Sequence, residues 1–471
     1  MNLEKNALRY LEEKSELLEK MAKDIWEHPQ LGGQETYAVK LITDQLIKEG
    51  FTIKEKIGGI PTAFVASWGE GKPIIGILGE YDALPGLSQQ VLFQKKPVQE
   101  GDPGHGCGHN LLGVGSLGAT LAIKEAMEKE GIGSTVRYYG CPAEETLIGK
   151  VFMAREGVFN DLDVALTWHP MNLNMVWDSS CLAMNSFKVN FYGRSAHAAA
   201  MPYMGRSALD GIMLTDVGIN YLREHIIPEA RVHGVITNGG LAPNVVPDYA
   251  QAWYFVRAPH RDQVEEIYQR TLKIAEGAAL MSDIKYNVEF IAGCYEYLPN
   301  ETIGEIMEKK MKELEAPQFS AKERKFAQDL ESTLPKEMVE GALMAYGLRR
   351  EEVGDSLCNR IISSNKGPYG KGKVMPGSTD VGDVSFLVPT AQFMTAGMPV
   401  GVAAHSWQST ASYGSSIGFK AMLFATKILA LTAVELINKP EILEKAKKEH
   451  KQAIRGKEYK SPLPNDLKSN L

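Results

Sequence analysis

Cysteine is scarce in this chain: there are five in 471 residues, an odd number spread from Cys107 to Cys358. So few thiols exclude a disulfide-stapled scaffold and fit a reducing cytosol. Positive charge is not in excess either. The 51 Lys and Arg face 58 Asp and Glu, for a net charge of -7, which argues against a nucleic-acid binder working through a basic face. Lys445 to Lys460 reads as a solvated terminal helix and tail. Long apolar runs are missing. The best, Ile428 to Ile437, is too short to cross a bilayer, and Met1 to Lys20 is charged throughout, without the apolar stretch of a secretory signal. The expectation is a cytoplasmic protein with no membrane and no nucleic-acid partner.

What is present is ample apolar residue, 44% of the chain, over a length that exceeds one ordinary core. Residues 2 to 27 have a helical apolar face, and a second helix ends near Lys48 before Gly50. Ile74 to Leu78 is apolar on both faces, as in a parallel strand covered by helices. Val136 to Tyr139 and Val164 to Trp168 are similar, and a helix rich in small residues runs from Leu111 to Lys129. After about residue 180 the pattern changes to alternating strands (Phe187 to Tyr192, Val232 to Thr237, Ala250 to Val256, Ile284 to Ile291) with two helices between them. The fold class is therefore α/β, a mostly parallel central sheet with an inserted α+β module. The boundaries are 1–184 and 297–471 for the main unit and 185–296 for the insert. Residues 317–376, rich in charge, Gly and Pro, read as an elaboration of the main unit. Val400 to Ala404 reads as a last strand.

Ligand-type residues gather where strands end, the usual place for function in an open α/β sheet. Ile74 to Leu78 runs into Glu80-Tyr81-Asp82, Val136 to Tyr139 into Glu144-Glu145, Val164 to Trp168 into His169, and Val400 to Ala404 into His405. The loop Gly104-His105-Gly106-Cys107-Gly108-His109-Asn110 adds a thiol and an imidazole two residues apart. Thiolate, imidazole and carboxylate together suit a zinc-like ion. Adjacent glutamates can divide the work, one binding metal and the other staying free as a base. Paired metals and a free carboxylate are the equipment for amide hydrolysis.

At these residues the chain resembles the dinuclear metallopeptidase and amidohydrolase family that includes aminoacylases, glutamate carboxypeptidase and auxin-conjugate hydrolases. The matching motifs are Trp26-Glu27-His28-Pro29-Gln30-Leu31-Gly32 with Glu35, Tyr81-Asp82-Ala83-Leu84-Pro85, Cys107-Gly108-His109, Pro142-Ala143-Glu144-Glu145 and His169-Pro170. Asn110, Leu112 and Ser378-Thr379-Asp380-Val381-Gly382-Asp383 are most similar to its p-aminobenzoyl-glutamate hydrolase branch. The resemblance implies metal ligands Cys107, His109, Glu145, His169 and His405, general base Glu144, and Asp82 orienting a ligand. It implies two divalent ions per chain, Mn or Zn, with Co or Ni open. It makes the insert a lid that also dimerises, with His197 reaching a partner's active site to stabilise the oxyanion, and Asn244 and Arg257 holding the substrate's carbonyl and carboxylate.

The implied activity is cleavage of an N-acyl or N-aroyl amino acid, p-aminobenzoyl-glutamate among them. The alternatives are a dipeptidase or carboxypeptidase of the same family, or one half of a hetero-oligomer that needs a related second chain for full activity. Met201, Tyr203 and Met204 are candidates for an apolar wall around an aryl group. His28, His225, His233, His260 and His450 read as structural, and Cys141, Cys181, Cys294 and Cys358 as packing.

Overall fold

A computed structural model describes residues 2–469. A seven-stranded sheet is built from β1 (Thr52–Glu55), β2 (Phe64–Gly69), β3 (Ile74–Glu80), β4 (Thr135–Cys141), β5 (Val164–Met171), β6 (Met175–Val176) and, late in the chain, β13 (Thr390–Ala396). Their order is β1-β2-β4-β3-β5-β13-β6. The centre, β4-β3-β5-β13, is parallel, and the flanking pairs β1/β2, β2/β4 and β13/β6 are antiparallel. Apolar sequence on both faces of the central strands matches this, because helices cover both sides.

One face carries the helices Leu3–Glu27, His109–Glu130 and Ser416–Asn438, which interlock in the largest core. The last of these is 23 residues long and apolar enough to span a membrane by length and composition. Lys420, Lys427 and Glu435 interrupt it, so its longest uninterrupted apolar stretches stay short. Here it is a core helix, with most of its apolar window buried against its two neighbours. The other face packs on the short helices Gly149–Arg155 and Val381–Leu387.

Between β6 and β13 the chain leaves this sheet. A two-residue strand β7 (Ser180–Cys181) pairs with β12 (Val374–Met375). A separate four-stranded sheet is formed by β8 (Ala183–Tyr192), β9 (Arg231–Asn238), β10 (Tyr249–Ala258) and β11 (Lys285–Cys294), in the antiparallel order β11-β8-β10-β9. Helices Ala208–Leu222 and Arg261–Ser282 cover one face through Phe187, Val189, Phe191, Tyr254 and Val256. Alternation turns the intervening residues Ser186, Trp253, Phe255 and Arg257 to the opposite face, where they line a cavity against the main sheet.

Two sequence expectations change. Val400 to Ala404 is a turn, and the strand is Thr390–Ala396, a fully buried run. His405 therefore sits on a loop beyond the strand rather than at its tip. The stretch 317–376 contains helices Ala321–Glu331, Lys336–Ala345 and Arg350–Val353 and then returns to the cavity with Tyr369 and Met375.

Candidate metal centre and active site

The carboxyl ends of β3, β4 and β5 and the start of helix His109–Glu130 meet at one point. The Cys107-Gly108-His109 loop reaches it because Gly108 adopts φ 80°, a left-handed conformation that costs glycine little. A Cβ on Gly108 would also lie 2.6 Å from the Pro170 ring. Glu144 and Glu145 stand on a short turn bounded by two left-handed residues, Ala143 (φ 54°) and Leu147 (φ 57°). His405 (φ 60°) is left-handed as well. Such strain in non-glycine residues persists where surrounding structure enforces it, commonly at functional sites. Here Glu35 is part of that enforcement: its carboxylate accepts hydrogen bonds from Ala143 N at 2.9 Å and Thr62 Oγ1 at 2.7 Å.

The side chains converge as two triads sharing a thiol. Cys107, His109 and His169 form one, and Cys107, Glu145 and His405 the other, with the ligand atoms of each triad within 4.8 Å of one another. Cys107 Sγ lies 3.5 Å from His169 Nε2 and 3.3 Å from His405 Nε2, and His405 Nε2 lies 3.4 Å from Glu145 Oε2. A third group joins His109 to Glu80 and Glu144, with His109 Nε2 3.3 Å from Glu80 Oε2 and 3.9 Å from Glu144 Oε2. Behind the cluster, Asp82 accepts from His109 Nδ1 at 2.8 Å and from Glu145 N at 3.0 Å. It thereby fixes which imidazole nitrogen faces the cluster.

Metal ions fit this donor set. His109 Nε2, Glu80 Oε2 and Glu145 Oε1 are buried without a hydrogen-bond partner among the described residues, although buried polar atoms are nearly always paired. Electrostatics agree. Burial, then Glu80, pushes Glu144 well above the carboxylate range, and burial pushes Glu145 up to about 7. Burial and then the nearby His109 hold His169 down to about 4, while burial and then Glu145 raise the Cys107 thiol. The protein alone leaves this group of acids poorly compensated, and a cation is the natural complement.

Glu80, read from the sequence only as a ligand-type residue at a strand end, completes the base of the site together with Lys150 and Asp380, to which the sequence patterns assign no role. Lys150 is fully buried, with Nζ 2.6 Å from both Glu80 Oε1 and Asp380 Oδ1. Its backbone N donates to Asp380 Oδ2 at 2.9 Å. The sequence held partial signals: Glu80 ends a strand beside Asp82, and Asp380 lies in a motif that matches the family. Nothing marked Lys150, because a lysine one residue into a helix reads as a surface charge. His105 is buried beside the cluster and kept neutral, its pKa held down to about 3 by burial and then His109.

The cavity beside the cluster is about 620 Å³. Arg257 enters it from β10 and donates from Nη1 to Ser378 Oγ at 3.2 Å. Trp177, Trp253, Phe255 and Tyr369 line it as well. Met201, Tyr203 and Met204 do not: they stand exposed on the turn around Pro202–Met204, so the aromatic wall comes from other elements. His197 and Asn244 also lie outside the cavity on exposed, paired loops, where Ala198 N donates to Asn244 O at 3.0 Å.

Comparison with known proteins agrees with this architecture. Residues 183–280 match a family model described as a peptidase dimerisation domain. The chain is 41% identical over 454 residues, 95% of its length and 94% of the relative's, to a subunit of p-aminobenzoyl-glutamate hydrolase from Escherichia coli K12. It is 29% identical to a Mus musculus Xaa-Arg dipeptidase, over 95% of this chain and 92% of that one. Among solved structures, a dinuclear metal-binding peptidase of the M20 family from Bacillus subtilis superposes with a TM-score of 0.54 at 17% identity, covering 90% of this chain and 99% of that one. With 41% identity across nearly the full length of both chains, the protein belongs to the M20 family of metallopeptidases and amidohydrolases, hydrolases of amide bonds.

Proposed function

We propose that the chain hydrolyses N-aroyl and related N-acyl amino acids with a free α-carboxylate, p-aminobenzoyl-glutamate being the type of substrate that fits. One observation carries this reading: Arg257 is a half-buried guanidinium without a carboxylate in ion-pair range among the described residues, in the same cavity as the metal cluster and an aromatic wall. A buried cation without an anion suits a carboxylate ligand. The indole and phenyl faces of Trp177, Trp253 and Phe255 suit a flat acyl group.

In this reading Cys107, His109, Glu145, His169 and His405 hold two divalent cations. One thiolate with imidazoles and carboxylates suits Mn, Zn, Co or Ni. Bound there, the ions supply Lewis acidity to the amide carbonyl and bring a water's pKa towards neutrality. Glu144, within reach of the cluster and held by neither triad, takes the water's proton and delivers it to the departing amine. Asp82 keeps His109 in the tautomer that presents Nε2 to the cluster. Free thiols at all five cysteines suit a reducing compartment, the cytoplasm here.

The segment 185–296 is the lid and dimerisation domain, and His197 and Asn244 act across a homodimer. Support comes from apolar side chains left exposed on it: Met213, Val217 and Tyr221 at every fourth position of one helix, and Val235 and Ile236 on the edge strand β9. Such patches and edges are usually covered in an assembly. A related second chain is the alternative partner, since the Escherichia coli relative is itself one subunit of a hydrolase.

A dipeptidase acting on basic carboxy-terminal residues is less well supported, because the cavity's acidic side chains, Glu80, Glu144 and Glu145, all belong to the cluster. The test is hydrolysis of N-benzoyl-, N-acetyl- and dipeptide substrates by the chain alone, with and without Arg257→Met. The expected result is preference for aroyl amino acids, and a rise in KM of about 10–100-fold in the variant. Equal KM values in variant and parent would remove Arg257 from substrate binding.

A further inference from the structure

The inserted four-stranded module joins the rest of the chain at two crossings, and both rest on one segment, residues 374–385. On the way out, Cys181 is in register with Met375, and Leu182 N donates to Gly377 O at 2.9 Å. On the way back, Tyr295 N donates to Asp383 Oδ2 at 3.0 Å and Leu298 N to Ser385 Oγ at 2.9 Å. Gly382 makes the return crossing possible. A Cβ there would lie 2.8 Å from Tyr295 C, 3.0 Å from Glu296 C and closer still to Tyr295 O. The residue belongs to helix Val381–Leu387, where propensity alone favours alanine. The close approach of the returning chain is what calls for glycine.

Asp383 is a buried junction. Its other oxygen, Oδ1, accepts from Tyr459 Oη at 2.8 Å. Tyr459 belongs to the carboxy-terminal tail, which also holds Tyr295: Lys460 N donates to Tyr295 Oη at 3.2 Å, and the Tyr295 and Tyr459 ring centroids are 5.1 Å apart. One carboxylate therefore ties the returning chain and the tail to helix Val381–Leu387.

The same helical turn is fastened to the candidate metal ligands. Asp380, just before it, holds Lys150 by backbone and side chain, and Lys150 holds Glu80 beside His109. Two residues earlier, Ser378 accepts from Arg257 on β10 of the module. The run Ser378-Thr379-Asp380-Val381-Gly382-Asp383 thus meets the base of the cluster, the module's guanidinium and the module's joint. A single turn pinned to the cluster on one side and to the module on the other fixes how far Arg257 stands from the cluster. Such placement matters, because an error of about 1 Å can cost on the order of 100-fold in rate.

We propose that Gly382 and Asp383 are positioning residues that seat the inserted module and so set the spacing between Arg257 and the metal cluster. The part played by Arg257 rests on the reading of the cavity as an N-acyl amino acid site; the seat itself does not.

The experiment compares parent, Gly382→Ala, Asp383→Ala, Asp383→Asn and Tyr459→Phe, each also combined with Arg257→Met, as metal-loaded full-length protein. Kinetics on N-benzoyl-glutamate are paired with pulsed electron paramagnetic resonance between spin labels at two exposed positions, Glu128→Cys on the main unit and Lys273→Cys on the module. The five native thiols are buried. Gly382→Ala and Asp383→Ala should shift or broaden the label spacing and raise KM at least about tenfold, with kcat and metal content within about twofold of parent. Asp383→Asn, whose amide oxygen still accepts from Tyr295 N, should stay near parent in both readouts. Tyr459→Phe removes a single hydroxyl and should raise KM about two- to fivefold. In the Arg257→Met background each change should alter KM by less than about twofold, because the group it positions is gone.

Parental spacing and KM in Gly382→Ala or, where that variant does not fold, in Tyr459→Phe would overturn the seat. A rise in KM that multiplies with that of Arg257→Met would assign Gly382 and Asp383 a structural role independent of Arg257 and overturn the proposal as well. Absence of hydrolysis by the parent would count against the proposed function; a shifted spacing in the alanine variants, with parental spacing in Asp383→Asn, would still uphold the seat.

Discussion

At the scale of single residues, the site depends on charges that compensate each other out of contact with water. Lys150 is the clearest case. Burial disfavours its charge, yet Asp380 and Glu80 raise its pKa well above the ordinary lysine value. Lys150→Met leaves two buried carboxylates unpaired, and removal of one partner of a buried ion pair typically costs about 3–5 kcal/mol. Denaturant unfolding should show a loss of that order, and Lys150→Arg, which is larger, should recover only part of it. Glu35 gives a pH-dependent counterpart. Burial, then Asp82, pushes its carboxyl up to about 7. A carboxyl raised in the folded state contributes stability that is full below its unfolded pKa and lost as pH rises through the folded one. Chelator-treated protein should thus lose stability from about pH 5 to about pH 8, and Glu35→Gln should remove a part of that slope on the order of 3 kcal/mol at most. Parallel melting curves for the two proteins would show that Glu35 titrates normally.

At the scale of elements, the turn between β4 and helix Gly149–Arg155 sets the position of both glutamates. It is tight: a Cβ on Gly149 would lie 1.8 Å from Pro142 O. Gly149→Ala should therefore shift the turn, lower stability by about 1–3 kcal/mol, and weaken metal retention through Glu145. Retained metal with normal stability would mean that the turn adapts without moving Glu145. Much of this architecture was legible in the sequence. The apolar runs of β3, β4 and β5 and the alternation of β8 to β11 stand in the structure close to where periodicity placed them. The ligand-type residues at the strand ends do converge. Three features resisted reading for physical reasons. Val400 and Val402 are apolar because they are buried in a turn, and burial alone does not distinguish a turn from a strand. The aromatic wall combines Trp177, Trp253, Phe255 and Tyr369 from distant segments, which no local pattern joins. Lys150 pairs with residues 70 and 230 positions away, and only the fold brings them into contact.

At the scale of the whole molecule, the main question is whether one chain is a complete enzyme. The candidate metal ligands, Asp82 and Arg257 all lie on one chain. His197 does not face that cavity. It is exposed on its loop, where Ala199 N and Ala200 N donate to Nδ1 at 3.2 Å each, leaving Nε2 without a side-chain hydrogen bond among the described residues. That geometry presets an imidazole tautomer with a donor facing outward, which is of use only if another surface comes to it. The proposed homodimer supplies one, since twofold symmetry would bring each His197 to the other subunit's site. Glu144→Gln and His197→Ala homodimers should then both be nearly inactive, the first retaining its metal. Mixed and allowed to exchange in equal amounts, they should form dimers of which half are mixed, each with one site carrying both Glu144 and His197. Activity should recover to about a quarter of the parent value. If subunit exchange is verified by mass spectrometry and activity does not return, His197 acts within its own chain or not at all.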